Sequence, residues 1–426
     1  MNTFPPTDYV RAQSAVPGIE VYVPRPPQEM QQDVVAFHCP QCDATTAYCA
    51  ENGGLTCIHC GHYEAPAQSI VGKAAAEFEF TVETVARAAH GWGIERKELS
   101  CQRCGVHTTL STDMLTHTCP FCGSNQVVQV KATQDILRPR FLVPLQIGED
   151  DCRRITIAWL QNSWMLPKNL QQLGRTAEFT PIYIPFWTFD AQASAYWRAE
   201  VAHTRQKTVW RNGRRTTQTV TEWRWESGNV ELFHDDLLVN GSNQVSKMLL
   251  RQLRGYDLQA LVLYDASYLA GMQAQAYDVD LETAWELGRA VMRQRTKTAC
   301  QGQATSQRMR NFSMSLDFSE ETWRYILLPM YLATYAYGRD RFQVMINGQS
   351  GSIAGQRPVD WRKVVGATAV SLLPAILSGL LALYVTATAN TAHLAAPVGF
   401  VAALALIGAL VFIIHTVQTA LKMDDV

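Results

Sequence analysis

The stretch CPQCDATTAYCAENGGLTCIHCG, residues 39–61, sets four cysteines in two C-x-x-C pairs, Cys39 with Cys42 and Cys57 with Cys60, fourteen residues apart. Each pair makes a tight knuckle that presents two thiolates. The interval suits a short β-hairpin that carries both knuckles to one tetrahedral ion. The same ruler recurs downstream, where Cys101 and Cys104 are followed after fourteen residues by Cys119 and Cys122. Two matched quartets predict two zinc ribbons. With all four ligand positions filled by cysteine, each ion is structural and leaves no open coordination site for water or substrate. Iron, to which the Cys119-Pro-Phe-Cys-Gly knuckle is suited, and a redox dithiol are the other readings of such spacing.

Gly61, Gly105 and Gly123 follow three of the four knuckles, where the turn calls for positive φ. A ribbon of this size has too little core to fold alone, and metal-binding energy on the order of 10 kcal/mol supplies the difference. His38, His59, His62, His107 and His117 lie nearby, but the quartets are complete without them, so they read as surface or packing residues.

A chain of 426 residues accommodates several modules, and its net charge of -1 announces no polyanionic partner. Residues 26–72 contain no Lys or Arg, while Asp33, Asp43, Glu51 and Glu64 are present. Four thiolates around one divalent ion add negative charge, so the first ribbon is poorly equipped to hold phosphates. The second sets Arg96, Lys97 and Arg103 against Glu95, Glu98 and Asp113, which is ordinary surface. Protein partners fit both better than nucleic acid. Eight of the eleven cysteines are in the pairs, leaving Cys49, Cys152 and Cys300. That usage belongs to a reducing compartment. The start of the chain lacks a basic-then-apolar leader, and its prolines predict an extended or disordered lead over 1–32.

Further boundaries follow: ribbon one over 33–66, a spacer over 67–94 whose segment 77–93 reads as a short strand and an amphipathic helix, ribbon two over 95–130, and an α+β core over 131–357. In the core, helices are expected at 150–164, 243–255 and 280–300, the last capped by Asp280, with turns at Asn212-Gly213 and Asn347-Gly348. Two segments, YIPFWTFDAQASAYWRAEV (183–201) and LLPMYLATYAYGRDRFQVMINGQSG (327–351), share a proline, an aromatic run and then charge, the trace of a duplicated β unit. The hairpin around Asn212 concentrates Arg198, Arg205, Lys207, Arg211, Arg214, Arg215 and Arg224 among Trp197, Trp210, Trp223 and Trp225. It is suited to phosphates and bases, to anionic headgroups, or to packing on the sheet, and its position relative to a membrane discriminates among these. The sequence contains no G-x-x-x-x-G-K-[ST], G-x-S-x-G or H-E-x-x-H. Neither Cys152 nor Cys300 has a local context that lowers a thiol pKa, so no catalytic residue is assigned.

From Val364 to Leu421 there is no Asp, Glu, Lys or Arg. The run divides into two spans, 364–387 and 395–415, joined by a short polar turn, with a tail over 416–426. Pro374 is expected to kink the first span and Pro397 to open the second. Arg357, Arg362 and Lys363 before the first span and Lys422 after the second place both flanks, and the ribbons, in the cytosol at the inner membrane.

Two cysteine quartets, the core texts YIPFWTFDAQASAYW and LLPMYLATYAYGRDRFQVMINGQSGSIAGQRP, and a terminal membrane hairpin together resemble the bacterial TFIIB-type zinc-ribbon membrane proteins, often labelled primosomal helicase-like. The chain carries no helicase motor. The resemblance implies a non-enzymatic, membrane-anchored adaptor or scaffold in a membrane-stress system, with phage-shock-protein-A-like or SPFH-domain partners. The rival reading is a membrane-tethered nucleic-acid binder using the basic hairpin 205–225.

Overall fold

The computed structural model describes residues 9–12, 21–24, 37–66, 70–72, 75, 77–79, 97–103, 107–110, 119, 121, 127–131, 137, 139–167, 170, 179–211, 214–253, 255–337, 340–387 and 395–424. In the lead expected to be extended or disordered, β1 (Tyr9–Ala12) pairs antiparallel with β2 (Val21–Pro24). Valine and tyrosine supply the strand preference there. The first cysteine segment makes its own three-stranded sheet from β3 (Thr46–Cys49), β4 (Gly54–Cys57) and β5 (Tyr63–Glu64).

All later strands join one twelve-stranded mixed sheet. Its first members are β6 (Phe78–Glu79), β7 (Lys97–Cys101), β8 (His107–Leu110), β9 (Val127–Lys131) and β10 (Phe141–Leu142). Helix α1 (Glu149–Gln161) leads to the long strands β11 (Thr180–Arg211) and β12 (Arg214–Asn240). Then come α2 (Lys247–Gln252), β13 (Val262–Leu263), β14 (Gln273–Gln275) and α3 (Leu281–Gln303). The sheet closes with β15 (Met309–Tyr337), β16 (Asp340–Asn347) and β17 (Ile353–Gly355), before α4 (Trp361–Ala387) and α5 (Ala395–Asp424). The fold is mixed α+β, and the three expected core helices are present, the second much shorter than expected. Asp280 caps α3 by accepting the Thr283 N–H at 2.8 Å. The strand expected at the start of the spacer is β6; its helical part lies outside the described residues, as do Asn212 and Gly213. β8 pairs with β14, so the strands of the second cysteine segment extend the main sheet.

The two look-alike segments lie side by side. β11 and β15 run antiparallel with Tyr183 opposite Pro329, Ile184 opposite Leu328 and Pro185 opposite Leu327, which centres a pseudo-twofold axis on Ile184 and Leu328. The surroundings repeat about it. The Pro185 carbonyl accepts the Gly241 N–H at 2.9 Å and the Pro329 carbonyl the Gly348 N–H at 3.0 Å. Each glycine follows the asparagine that ends a return strand. The Gly241 carbonyl then accepts from Asp278 and Val279, just before α3, and that of Gly348 from Gln146 and Ile147, just before α1. β14 runs parallel to β11 at Ile182 and Tyr183, as β10 does to β15 at Ile326 and Leu327. The units β10-α1-β11-β12 and β14-α3-β15-β16 are therefore an intertwined duplication, each lending its short strand and helix start to the other's long strand. A Cβ at Gly348 would meet Leu145 Cδ1 at 2.5 Å and the Pro329 carbonyl carbon at 3.0 Å, so only glycine permits this approach.

At about 3.3 Å per residue, β11 has a contour of about 100 Å. Helix α3 covers one face of this arm through Ala195, Trp197, Ala199, Val201, Val230 and Cys300. On the other face, cover ends at a buried charge. Arg324, 1% exposed, pairs with Asp236, with Glu77 at 3.2 Å and with Asp190 at 3.8 Å, and donates to Thr188 Oγ1 at 3.2 Å. Asp236 adopts φ 51° beside a register shift between Phe189 and Ala191, which turns its carboxylate to the guanidinium.

Helices α4 and α5 are long and apolar enough to cross a membrane. Leu377, Leu383, Phe400 and Val411 are exposed along them. α4 runs unbroken through Pro374, where the Ser378 hydroxyl donates to the Pro374 carbonyl at 2.6 Å. The base of the pair is tied to the body: Val364 and Ala420 bury Met165, the Asp360 N–H donates to Met165 O, and Arg357 lies over Trp159 at 4.5 Å. Tyr335 donates to Gln356 O, five residues before α4, so the helices leave from the β15–β16 end of the sheet and the arm tip lies at the other end of β11.

Replacing Arg324 by Met leaves its carboxylates buried without their cation and is expected to cost about 3–5 kcal/mol in denaturant unfolding. Burial pushes the Asp190 carboxyl up to about 7, Glu77 and Asp236 adding to it. The folded state thus holds a proton that the unfolded chain releases near pH 4, so the Asp190 contribution to stability falls as pH rises from about 4 to about 7. Thermal unfolding across that window is expected to show this fall, and Asp190→Asn to lack it.

Candidate metal centre

β3 and β4 form a hairpin with Thr46 opposite Cys57 and Cys49 opposite Gly54, and a knuckle lies at its open end on either side. The knuckles are built alike. In the first, the Cys39 N–H donates to Ala44 O, the Asp43 N–H to Cys39 O, and the Gln41 N–H to Cys39 Sγ at 3.4 Å. In the second, the Cys57 N–H donates to His62 O, the Gly61 N–H to Cys57 O, and the Cys60 N–H to Cys57 Sγ at 3.5 Å. Gly61 takes φ 74°, as its position after the knuckle requires, and Asp43 takes φ 59° at the matching place.

These turns bring the four sulfurs within 4.8 Å of one another, with Cys39 3.5 Å from Cys60 and Cys42 3.5 Å from Cys57. A tetrahedron with metal–sulfur bonds of about 2.3 Å sets its sulfurs about 3.8 Å apart, so the quartet fits a zinc-sized ion. Backbone amides favour the thiolate form. The Cys57 thiol is drawn down to about 6, chiefly by the Cys60 N–H, with the His59 N–H and the Cys42 thiol contributing against burial. At Cys42 the Ala44 amide also lowers the pKa, but burial and the Cys60, Cys57 and Cys39 thiols outweigh it and push the group up to about 12. A metal bound by this set would release the protons of its thiols. Among the described residues no histidine joins this group; His38 instead lies against Asp43 O at 3.0 Å.

The cysteine hairpin is seated on the main sheet. Tyr48 donates its N–H to Ala270 O at 3.1 Å and packs against Tyr268 with ring centroids 5.4 Å apart, and Leu55 is buried in the same core. Gly271 allows this, since a Cβ there would approach Ala47 Cβ to 3.1 Å.

Of the second quartet, Cys101 at the end of β7 and Cys119 are buried in one apolar cluster with Phe121. Cys104 and Cys122, with Gly105 and Gly123, lie outside the described residues. Two thiols outside the quartets are drawn away from reactivity: burial pushes Cys152 up to about 12 and raises Cys300. In a second group, the acidic Asp190, Asp235 and Asp236, two members, Asp190 and Asp236, already pair with the Arg324 cation. Sequence reasoning missed that centre. Its signal was a lone arginine in the apolar run TWRYILLPM.

Comparison with known proteins adds one relative: the chain is 23% identical over 343 residues to an uncharacterized protein, YdjG, of Bacillus subtilis (strain 168), covering 78% of this chain and 92% of the relative. No protein-family model matches, and no solved structure gives a significant match.

Cys57→Ser is expected to lower the metal content by one ion per chain. Because Tyr48 and Leu55 join the ribbon to the core, it is also expected to expose the Ala270 region to proteolysis. Elemental analysis and limited proteolysis of the purified chain check both.

Proposed function

We propose that the chain is a non-enzymatic membrane-anchored scaffold that holds soluble proteins at a bilayer. The observation that carries this reading is the pair α4 and α5, whose apolar side chains face outward and whose contact with the folded body, among the described residues, is confined to the base around Met165, Val364 and Ala420. Such surface is stable in lipid and not in water. Arg362 and Lys363 flank the first span and Lys422 the second, in agreement with both flanks on the cytosolic side of the inner membrane.

The ribbons serve as structural modules in this reading. The first quartet holds one zinc, and the second, Cys101, Cys104, Cys119 and Cys122, holds another by the same spacing. Four cysteines leave a metal no open position, so its work is to keep a docking surface in shape. The resemblance to zinc-ribbon membrane proteins points to phage-shock-protein-A-like or SPFH-domain clients in a membrane-stress response.

The test is purification of the full chain from solubilised membranes beside a Cys57→Ser, Cys60→Ser variant, with each recovered protein then bound in purified form. A client held by the wild type and lost from the variant supports the scaffold. Recovery of the same proteins with both, or of none with the wild type, overturns it. Removal of residues 361–426 is expected to move the chain from the membrane pellet to the soluble fraction.

A further inference from the structure

The basic hairpin has no part in anchoring or in the metal site, and the structure sorts its residues by face. Trp210 stands opposite Arg215, Trp223 opposite Ala202, Trp225 opposite Glu200, Arg198 opposite Ser227 and Tyr196 opposite Asn229. By strand alternation all of these project from the face that α3 does not cover. Tyr196, Trp210, Trp225 and Phe233 on it are half exposed or more. Guanidinium groups lie over the indoles: Arg198 over Trp225 at 4.1 Å, Arg310 over Trp223 at 4.4 Å, Arg308 over Trp223 at 5.8 Å and Arg215 over Trp210 at 5.6 Å.

The two faces of the arm differ in what surrounds their charges. On the α3 side, Glu222 pairs with Arg224 at 2.8 Å and Arg205 at 4.0 Å, and Glu226 meets His203 at 2.7 Å. On the uncovered side Arg310 pairs with Glu200, while Arg198, Arg215 and Arg308 have no salt-bridge partner among the described residues. Lys207 on the α3 side also has no salt-bridge partner among the described residues, so what sets the uncovered face apart is that its three unpaired cations stand beside exposed rings.

We propose that this uncovered face binds single-stranded nucleic acid, an activity beyond the scaffold reading and independent of it. A guanidinium held flat on an indole keeps its N–H edge for phosphate, and the exposed rings offer stacking platforms to bases. Between them the face carries Thr204, Thr208, Thr217, Thr219 and Thr221, whose hydroxyls suit a phosphate backbone and not acyl chains. The chain's own bilayer is disfavoured as the occupant, because α4 and α5 leave the sheet at the end opposite the arm tip.

The full chain in phosphatidylcholine nanodiscs would be titrated into a fluorescent oligothymidylate of about 30 nucleotides, read by anisotropy. Three phosphate contacts predict affinity falling about 20-fold between about 50 mM and about 200 mM salt. Trp223→Ala with Trp225→Ala is expected to weaken binding roughly tenfold or more, and Arg198→Ala with Arg215→Ala to flatten the salt dependence. Arg205→Ala with Lys207→Ala, on the opposite face and away from the exposed indoles, is expected to change affinity less than about twofold. All four residues of the uncovered-face variants are at least partly exposed, and unchanged metal content and circular dichroism would verify folding. The proposal is overturned by no binding at low salt, by equal loss from both faces, by polyglutamate competing as well as the oligonucleotide, or by phosphatidylglycerol vesicles binding this face while the oligonucleotide does not.

Discussion

The pairing of Ile184 with Leu328 at the centre of two antiparallel strands is the constraint on which the rest of the molecule depends. A proline beside each of these residues has no N–H to give a neighbouring strand, and each proline carbonyl instead takes a glycine N–H from a returning chain. Those glycines order the approach to the two helices, and the short strands β10 and β14 lie across the axis. A slip of one residue would turn every core side chain of β11 or β15 to the wrong face and separate both glycines from their prolines at once. Register is thereby specified twice, by burial and by backbone contact.

Length follows from that register. Strands of 32 and 29 residues share a core only near the axis and continue outward as an arm, kept together by α3 on one side and by backbone bonds throughout. Arg324 stands where the covered region of the other face ends. One guanidinium among three carboxylates is a costly arrangement, and burial raises the pKa of Asp190, which favours its protonated form and lessens the imbalance. The four-cysteine hairpin is seated near the axis through Tyr48 and Leu55, and the apolar helices leave from the opposite end to the arm tip. The molecule therefore separates two apolar helices, a four-cysteine centre and a basic arm along one sheet.

Much of this was legible in residues close together in the chain. Cys39, Cys42, Cys57 and Cys60 converge because two knuckles and a hairpin are local structures. The apolar helices, the Asp280 cap and the turn after Asn347 were equally local. The paired prolines of 183–201 and 327–351 were visible as a weak repeat, but not that the repeats exchange their short strands and helix starts, since that pairing joins segments distant in the chain, Ile182 with Gln273 and Phe141 with Ile326. The strands of the second cysteine segment read as a separate ribbon, yet β8 adds to β14, because an exposed strand edge accepts any partner whose side chains fit.

Composition and spacing by themselves determined the cysteine quartet, the two lipid-compatible helices and the concentration of arginine and tryptophan in one hairpin, since each depends on residue type and short-range geometry. Only the tertiary structure decided which of those arginines are neutralised and which lie bare over an indole, that Arg324 is buried among Glu77, Asp190 and Asp236, and that the arm tip lies at the end of the sheet opposite the helices. Each of these depends on strand register and on what covers a face. Register is a property of segments distant in the chain, decided by the free energy of the whole sheet rather than by any stretch of it.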